Sequence, residues 1–337
     1  MAPIFGLAVP HALAWFKRRP AKAPSSRHPA RVTLPRHDFG EDEDVSRSRV
    51  RIPGRVPLPP LEPEWLIVDH LPLFHRVHVR DDHRGVPIVH VHGFGISGTY
   101  LEPTAAVLAA EHPTYVPDLP GMGRSLRPKH GLDLAGLARA LVTYCDAMGL
   151  EKPVLVGNSL GCPIIVEVAA SFPGRIASAV LVSPAGGPNN QPMAHALRQM
   201  AQDGLREPPS MLPIAVRDYL RFGALQSLSL FKAMTRYPTL DNLHLLDAPT
   251  LVIAGARDPL VKLSRAFVLA AMPHVTAVKV PGAHALNFSS PELIAELVEA
   301  HVADKPLLAG PLAQQVAELV AVYDSASSDG RPDVVTR

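Results

Sequence analysis

Pro153-Val154-Leu155-Val156-Gly157-Asn158-Ser159-Leu160-Gly161-Cys162 decides the fold of this chain. A short apolar run of buried-strand type is followed at once by G-x-S-x-G, and an apolar helical stretch continues from Cys162 to Ala170. The order is strand, tight turn, helix, with a serine at the apex. That is the context of a nucleophile elbow, in which the hydroxyl is held above the edge of a sheet. Glycines two before and two after Ser159 leave room for the turn and for close strand–helix packing. The Leu160 N–H, at the helix start, faces the position where negative charge would develop. An isolated serine in a glycine turn is usually only a turn, so the reading depends on partners elsewhere in the chain.

Working outward, runs of strand character alternate with helical patterns. Trp65–Val68 and Phe74–Arg80 come first. The second mixes Phe74, Val77 and Val79 with His75, Arg76 and His78, as expected of a partly exposed edge strand. Buried-type runs follow at Val86–Val91, Thr114–Pro117, Pro153–Val156, Ser178–Val182, Thr250–Ala254 and Val275–Val280. Helices fit at Leu101–Glu111, Leu132–Gly149, Leu160–Ser171, Leu263–Ala271 and Pro291–Ala303. Such alternation predicts an α/β protein: a mostly parallel, twisted sheet of about eight strands with helices on both faces. Residues 185–248 are too long for one crossover helix and are broken by Pro192, Pro208, Pro209, Pro213 and Pro238. They predict a helical cap inserted after the sixth strand. Residues 61–184 and 249–304 are then the two parts of the core. Residues 1–60 predict a disordered or extended arm, rich in Pro and Arg. Residues 305–337 predict one amphipathic helix, Pro311–Tyr323, and a disordered tail.

Composition narrows the function classes. With 47% hydrophobic residues a sizeable core is available. Residues 1–55 hold eleven Lys/Arg against five Asp/Glu, so the net charge of +2 leaves a mildly acidic body, which gives no reason to expect nucleic acid. Two cysteines, Cys145 and Cys162, are too few for a disulfide framework and suggest buried thiols in a reducing, cytoplasmic setting. No apolar run is long enough to span a bilayer. Residues 1–16 are mostly apolar, but Lys17-Arg18-Arg19 follow rather than precede them, unlike a secretory signal. A weak surface anchor is the alternative to an unstructured leader. Neither a cofactor nor a metal is expected, since the histidine spacings match no familiar metal motif. His70, His75, His78 and His83 read as a solvated cluster. Oligomeric state is not legible.

A serine nucleophile needs a base, and the base needs an orienting carboxylate. After Ser159, Leu251-Val252-Ile253-Ala254-Gly255 leads into Ala256-Arg257-Asp258-Pro259, and Val278-Lys279-Val280 leads into Pro281-Gly282-Ala283-His284. Asp258 and His284 both fall just past strand ends, on the sheet edge where open α/β folds bind ligands. Asp118 is the rival acid. Upstream, Val89-His90-Val91 runs into His92-Gly93-Phe94-Gly95, whose glycines allow the Phe94 N–H to turn inward beside that of Leu160 as an oxyanion hole. His92 reads as a structural residue of that turn. Cys162 should face the core. Phe94, Asn158, Phe222 and Phe231 are the candidate substrate contacts.

Four motifs in order, His92–Gly95, Asp118-Leu119-Pro120-Gly121-Met122-Gly123-Arg124-Ser125, the elbow at Ser159, and the Asp258 and His284 loops, resemble the α/β-hydrolase superfamily in its capped serine-hydrolase branch. The resemblance covers roughly residues 64–303. It implies a Ser159–Asp258–His284 triad, with the Asp118–Ser125 segment as a structural turn. The expected activity is hydrolysis of carboxylic esters with lipophilic or aromatic parts, the cap being apolar. The main alternative is hydrolysis of a carbon–carbon bond in vinylogous diketones. That group usually has a small polar residue where Phe94 stands, and a cap arginine for a carboxylate, which Arg198, Arg206, Arg217 or Arg221 could supply. Cofactor-free haloperoxidases, thioesterases and lactonases share the triad. A non-enzymatic receptor or interaction module is the remaining class, and such proteins often lose a triad member.

Overall fold

The computed structural model describes residues 58–305 and 307, apart from residue 223, residues 264–271 and the side chains of 224–227. The expected arm up to residue 57, residues 264–271 of the helix expected at Leu263–Ala271, and the C-terminal helix lie outside the described residues. Strands β1 (Glu62–Val68), β2 (Leu71–His78), β3 (Ile88–Val91), β4 (Thr114–Pro117), β5 (Val154–Asn158), β6 (Ser178–Val182), β7 (Thr250–Gly255) and β8 (Val275–Val280) form one sheet. Its order is β1-β2-β4-β3-β5-β6-β7-β8. β1 and β2 pair antiparallel, β2 joins β4 antiparallel, and every pairing from β4 to β8 is parallel. The central strands are buried on both faces, which is why β5, β6 and β7 read as near-continuous apolar runs rather than alternations.

Helices α1 (Glu102–Leu108), α2 (Leu134–Ala147) and α3 (Gly161–Ser171) cross between the first strands. Between β6 and β7 lie α4 (Met193–Gly204), α5 (Leu212–Phe222) and α6 (Ala224–Arg236), which realise the expected helical insertion. A short turn, α7 (Leu286–Ser289), and α8 (Pro291–Val302) follow β8. Two large apolar clusters fill the sheet's faces, one built on Leu137, Leu141, Ile164 and Ile165, the other on Leu251, Ile253, Leu297 and Val298. Among the described residues no helix is long and apolar enough to cross a membrane.

β2 corrects one expectation. It lies inside the sheet, with β1 as the edge. Its polar residues His75 and Arg76 are buried, and each has partners. His75 bonds the Tyr144 hydroxyl at 2.8 Å, and Arg76 meets Asp118 at 2.8 Å and Glu102 at 2.5 Å. A histidine and an arginine can occupy an interior strand when hydrogen bonds and opposite charges replace water. His75 therefore leaves the solvated histidine cluster expected from the sequence.

Candidate active site

Ser159 follows β5 with φ 54°, one of few non-glycine residues in the left-handed region. Such a conformation costs energy and persists only where the surroundings impose it. Here β5 and α3 impose it. A Cβ on Gly161 would lie 2.1 Å from the Val91 carbonyl oxygen, and one on Gly157 2.7 Å from Ile165. Both positions admit only glycine because strand and helix approach so closely. The Ser159 N–H donates to the Val182 carbonyl at 3.1 Å, tying the apex to β6.

Asp258 and His284 meet beyond β7 and β8. His284 Nδ1 is 2.8 Å from Asp258 Oδ2, while Asp258 Oδ1 accepts the N–H groups of Leu260 at 2.8 Å and Val261 at 3.2 Å. The carboxylate is thus fixed by its own turn and aims its second oxygen at the imidazole. The elbow is tied to the same loop, because Asn158 Nδ2 donates to the His284 carbonyl at 3.2 Å and to Val182 O at 3.1 Å. Asn158 Oδ1 accepts the Tyr100 hydroxyl at 2.7 Å. Asn158 is therefore a brace beneath the elbow, buried and fully engaged, which displaces the expectation that it contacts substrate.

Tyr100 extends the brace to the loop after β3. Its hydroxyl accepts the Gly93 N–H at 2.8 Å, and a Cβ on Gly93 would sit 3.3 Å from Ser159 Cβ. The neighbouring N–H groups of Gly93, Ser159 and Cys162 are spent on internal bonds, whereas those of Phe94 and Leu160 have no partner among the described residues. Two unspent donors beside a serine are what an oxyanion hole requires. His92 is structural, as expected. Its Nδ1 donates to Gly93 O at 2.9 Å and its Nε2 accepts from the Leu119 N–H at 2.8 Å, which fixes the neutral tautomer; burial lowers its pKa. Asp118 is structural too. It receives Arg76, the Gly98 N–H and the Arg124 N–H, all within 2.9 Å. Burial works to raise its pKa, but Arg76 and the hydrogen bonds outweigh that and hold it below the usual range. Cys162 faces inward, its thiol 3.4 Å from the Gly157 and Val182 carbonyls.

The insertion supplies the apolar wall. The Phe94 ring lies 5.2 Å from Phe222 and 5.3 Å from Phe231, with Tyr219 at 6.5 Å. The structure thus brings together Phe94, Phe222 and Phe231. Sequence reasoning missed two acids from the end of α4. Asp203 Oδ1 accepts the His284 N–H at 3.2 Å, and Glu207 Oε1 accepts the Ala285 N–H at 2.7 Å. Arg206 between them reaches the Arg257 carbonyl at 2.5 Å. The end of α4 therefore holds the loops of both Asp258 and His284. Burial pushes the Asp203 carboxyl up to about 7 against the pull of His284, and burial raises Glu207 as well. Burial also disfavours a charged His284, but Asp258, with Asp203 and Glu207, outweighs it and pushes the imidazole up to about 9. Spacing gave no signal for these acids, since Asp203 stands in the last turn of α4 and Glu207 in the bend after it, next to Pro208.

The chain belongs to the alpha/beta hydrolase family, whose model matches residues 88–297. It is 27% identical over 252 residues to the "Putative non-heme haloperoxidase" of Mycobacterium phage D29, covering 66% of this chain and 90% of that protein. It is 30% identical over 119 residues to the 2-hydroxy-6-oxo-6-phenylhexa-2,4-dienoate hydrolase of Burkholderia cepacia, covering 33% of this chain and 41% of that protein. The chain spans less than half the length of this and several other curated relatives. Among solved structures, the enol-lactonase of Burkholderia xenovorans LB400 superposes with a TM-score of 0.59 at 18% identity, over 71% of this chain and 99% of that one, a likeness of fold.

Proposed function

We propose that the protein is a serine hydrolase that cleaves neutral, lipophilic or aromatic carboxylic esters through an acyl-enzyme. The observation that carries this reading is Ser159 at a strained, left-handed apex, on the same sheet edge as a His284–Asp258 pair at 2.8 Å. His284 takes the Ser159 hydroxyl proton as the oxygen attacks the ester carbonyl. Asp258 stabilises the imidazolium that results. The N–H groups of Phe94 and Leu160 receive the tetrahedral oxyanion. His284 then gives its proton to the leaving alcohol. Water, deprotonated by His284, attacks the acyl carbon, and loss of Ser159 as the leaving group frees the acid.

Neutral substrates are favoured by the surroundings of His284. Asp203 and Glu207 place two acidic side chains beside it, Asp203 partly charged at neutral pH. The arginines considered for gripping a substrate carboxylate are turned elsewhere: Arg217 pairs with Asp218, Arg206 with the Arg257 carbonyl, and Arg198 and Arg221 are exposed. This weighs against carbon–carbon hydrolysis of acidic diketones. A cytoplasmic location is part of the same proposal, supported by the two buried free thiols. The test is a panel of p-nitrophenyl esters of varied chain length beside a ring-cleavage diketone. Ester turnover that disappears in Ser159→Ala supports the reading; turnover of the diketone alone overturns it. The phage relative favours a second reading, in which hydrogen peroxide replaces water in the deacylation step and a peracid is released. Peroxide-dependent halogenation of a phenol dye with acetate present tests that branch.

A further inference from the structure

We infer that the outer face of the helical insertion is a docking surface for anionic lipid. α5 buries Phe222 at its end but also turns a polar pair inward and a row of apolar residues outward. Its inward side carries Asp218, fully buried, whose Oδ2 accepts the Ser97 N–H at 2.8 Å, and half-buried Arg217, whose Nε donates to Asp218 Oδ1 at 2.8 Å. Its outward side carries Leu212, Val216 and Leu220 at successive helical turns, 64%, 50% and 80% exposed. A helix of a water-surrounded domain normally places these types the other way round. Two further leucines are exposed: Leu205, just after α4, at 90%, and Leu126, whose neighbour Arg127 donates to the Arg221 and Phe222 carbonyls at the end of α5.

Charge selects the occupant. Between Met193 and Arg236 every charged residue classed as exposed is a cation: Arg198, Arg206, Arg221, Lys232 and Arg236. The three acids of that segment, Asp203, Glu207 and Asp218, all turn inward, two of them buried. An apolar row on a segment whose exposed charges are all cations matches the boundary between acidic headgroups and acyl chains. A second copy of this chain docked face to face would bring the same cations against one another. The stripe also connects with the site. Tyr219, next to Leu220 and 42% exposed, lies 6.5 Å ring to ring from Phe94. A molecule leaving a lipid surface at α5 meets the aromatic wall beside Ser159.

Flotation of the full chain tests this, with vesicles of phosphatidylcholine alone and with about 30 mol% phosphatidylglycerol. Binding should require the anionic lipid, weaken with salt, and fall on the order of tenfold or more in Leu212→Ser/Val216→Ser/Leu220→Ser. That variant should keep its melting temperature and its turnover of a soluble ester. Because another segment could also hold vesicles, a polarity-sensitive dye is placed on Leu220→Cys, Cys145 and Cys162 being buried. Its emission should shift to the blue with anionic vesicles, and a dye on Lys152→Cys, before β5 at the other sheet edge, should not. Absence of binding overturns the inference, as does binding without a shift at position 220. A dimer that the triple substitution converts to monomer, with no vesicle binding, assigns the face to self-association instead. Apart from the ester-turnover control, none of these readouts depends on catalysis, and the flotation and dye measurements can be repeated in Ser159→Ala.

Discussion

Asp203→Asn should make the enzyme more active at neutral pH. A general base must be unprotonated, and His284 is pushed from 6.5 up to about 9. That shift corresponds to about 3 kcal/mol at about 1.4 kcal/mol per unit. It arises from Asp258, Asp203 and Glu207 acting against burial. Asp203 accepts the His284 backbone N–H, which by covalent geometry places its carboxylate roughly 5–7 Å from the ring. At an effective dielectric of about 20 such a pair is worth roughly 2–3 kcal/mol. Asparagine keeps the acceptor oxygen and removes the charge. The sign follows directly: losing a negative neighbour destabilises the imidazolium, so the His284 titration moves down, by about one to two units. The assay is kcat/KM on a soluble ester from pH 5 to about 10. The acid limb should move to lower pH; because Asp203 itself titrates at about 7 and is only partly charged there, kcat/KM should rise by about two- to threefold at about pH 7–8, while the alkaline plateau stays within about twofold. An unmoved limb, or an equal loss at every pH, would refute the electrostatic role of Asp203 and leave it a loop anchor.

Asp258→Asn should lower kcat by about 10⁴ with little change in melting temperature. Asp118→Asn should instead destabilise, by about 1–3 kcal/mol, because it removes one of the two carboxylates that hold buried Arg76, Glu102 being the other; thermal melts and turnover of the two variants side by side distinguish the roles. Tyr100→Phe removes the hydroxyl that joins Gly93 to Asn158 and should lower kcat roughly tenfold with KM little changed, at a stability cost of about 1–3 kcal/mol read by denaturant titration. Phe222→Ala and Phe231→Ala should reorder the preference among ester chain lengths while preserving labelling of Ser159 by a serine-directed probe, since both rings pack on Phe94.

The sheet and the candidate triad were legible because their signals are local. A buried parallel strand is an unbroken apolar run, and Ser159, Asp258 and His284 each stand just after one. The structural roles of His92 and Asp118 were legible for the same reason, from their places in turns. Errors came where long-range pairing sets the environment. His75 and Arg76 read as exposed, and only partners distant in sequence, Tyr144 and Asp118, allow them inside β2. Asn158 sits beside the nucleophile in sequence, but its carboxamide is consumed by Tyr100, Val182 and the His284 loop. Asp203 and Glu207 were missed because the end of α4 and the turn after it show their inward face only once they meet the loops after β7 and β8. The apolar content of the insertion was legible, but not its side: Phe222 and Phe231 turn to the site, and Leu212 and Leu220 turn outward.

Reaction with a fluorophosphonate, followed by peptide mass spectrometry, measures the nucleophile directly. The adduct should map to Ser159, labelling should track inactivation one to one, and Ser159→Ala should neither label nor turn over esters while keeping its melting temperature. A stoichiometric adduct on another residue, or ester turnover in pure Ser159→Ala above about a tenth of the parent rate, would contradict the assignment of Ser159 as nucleophile and with it the acyl-enzyme mechanism.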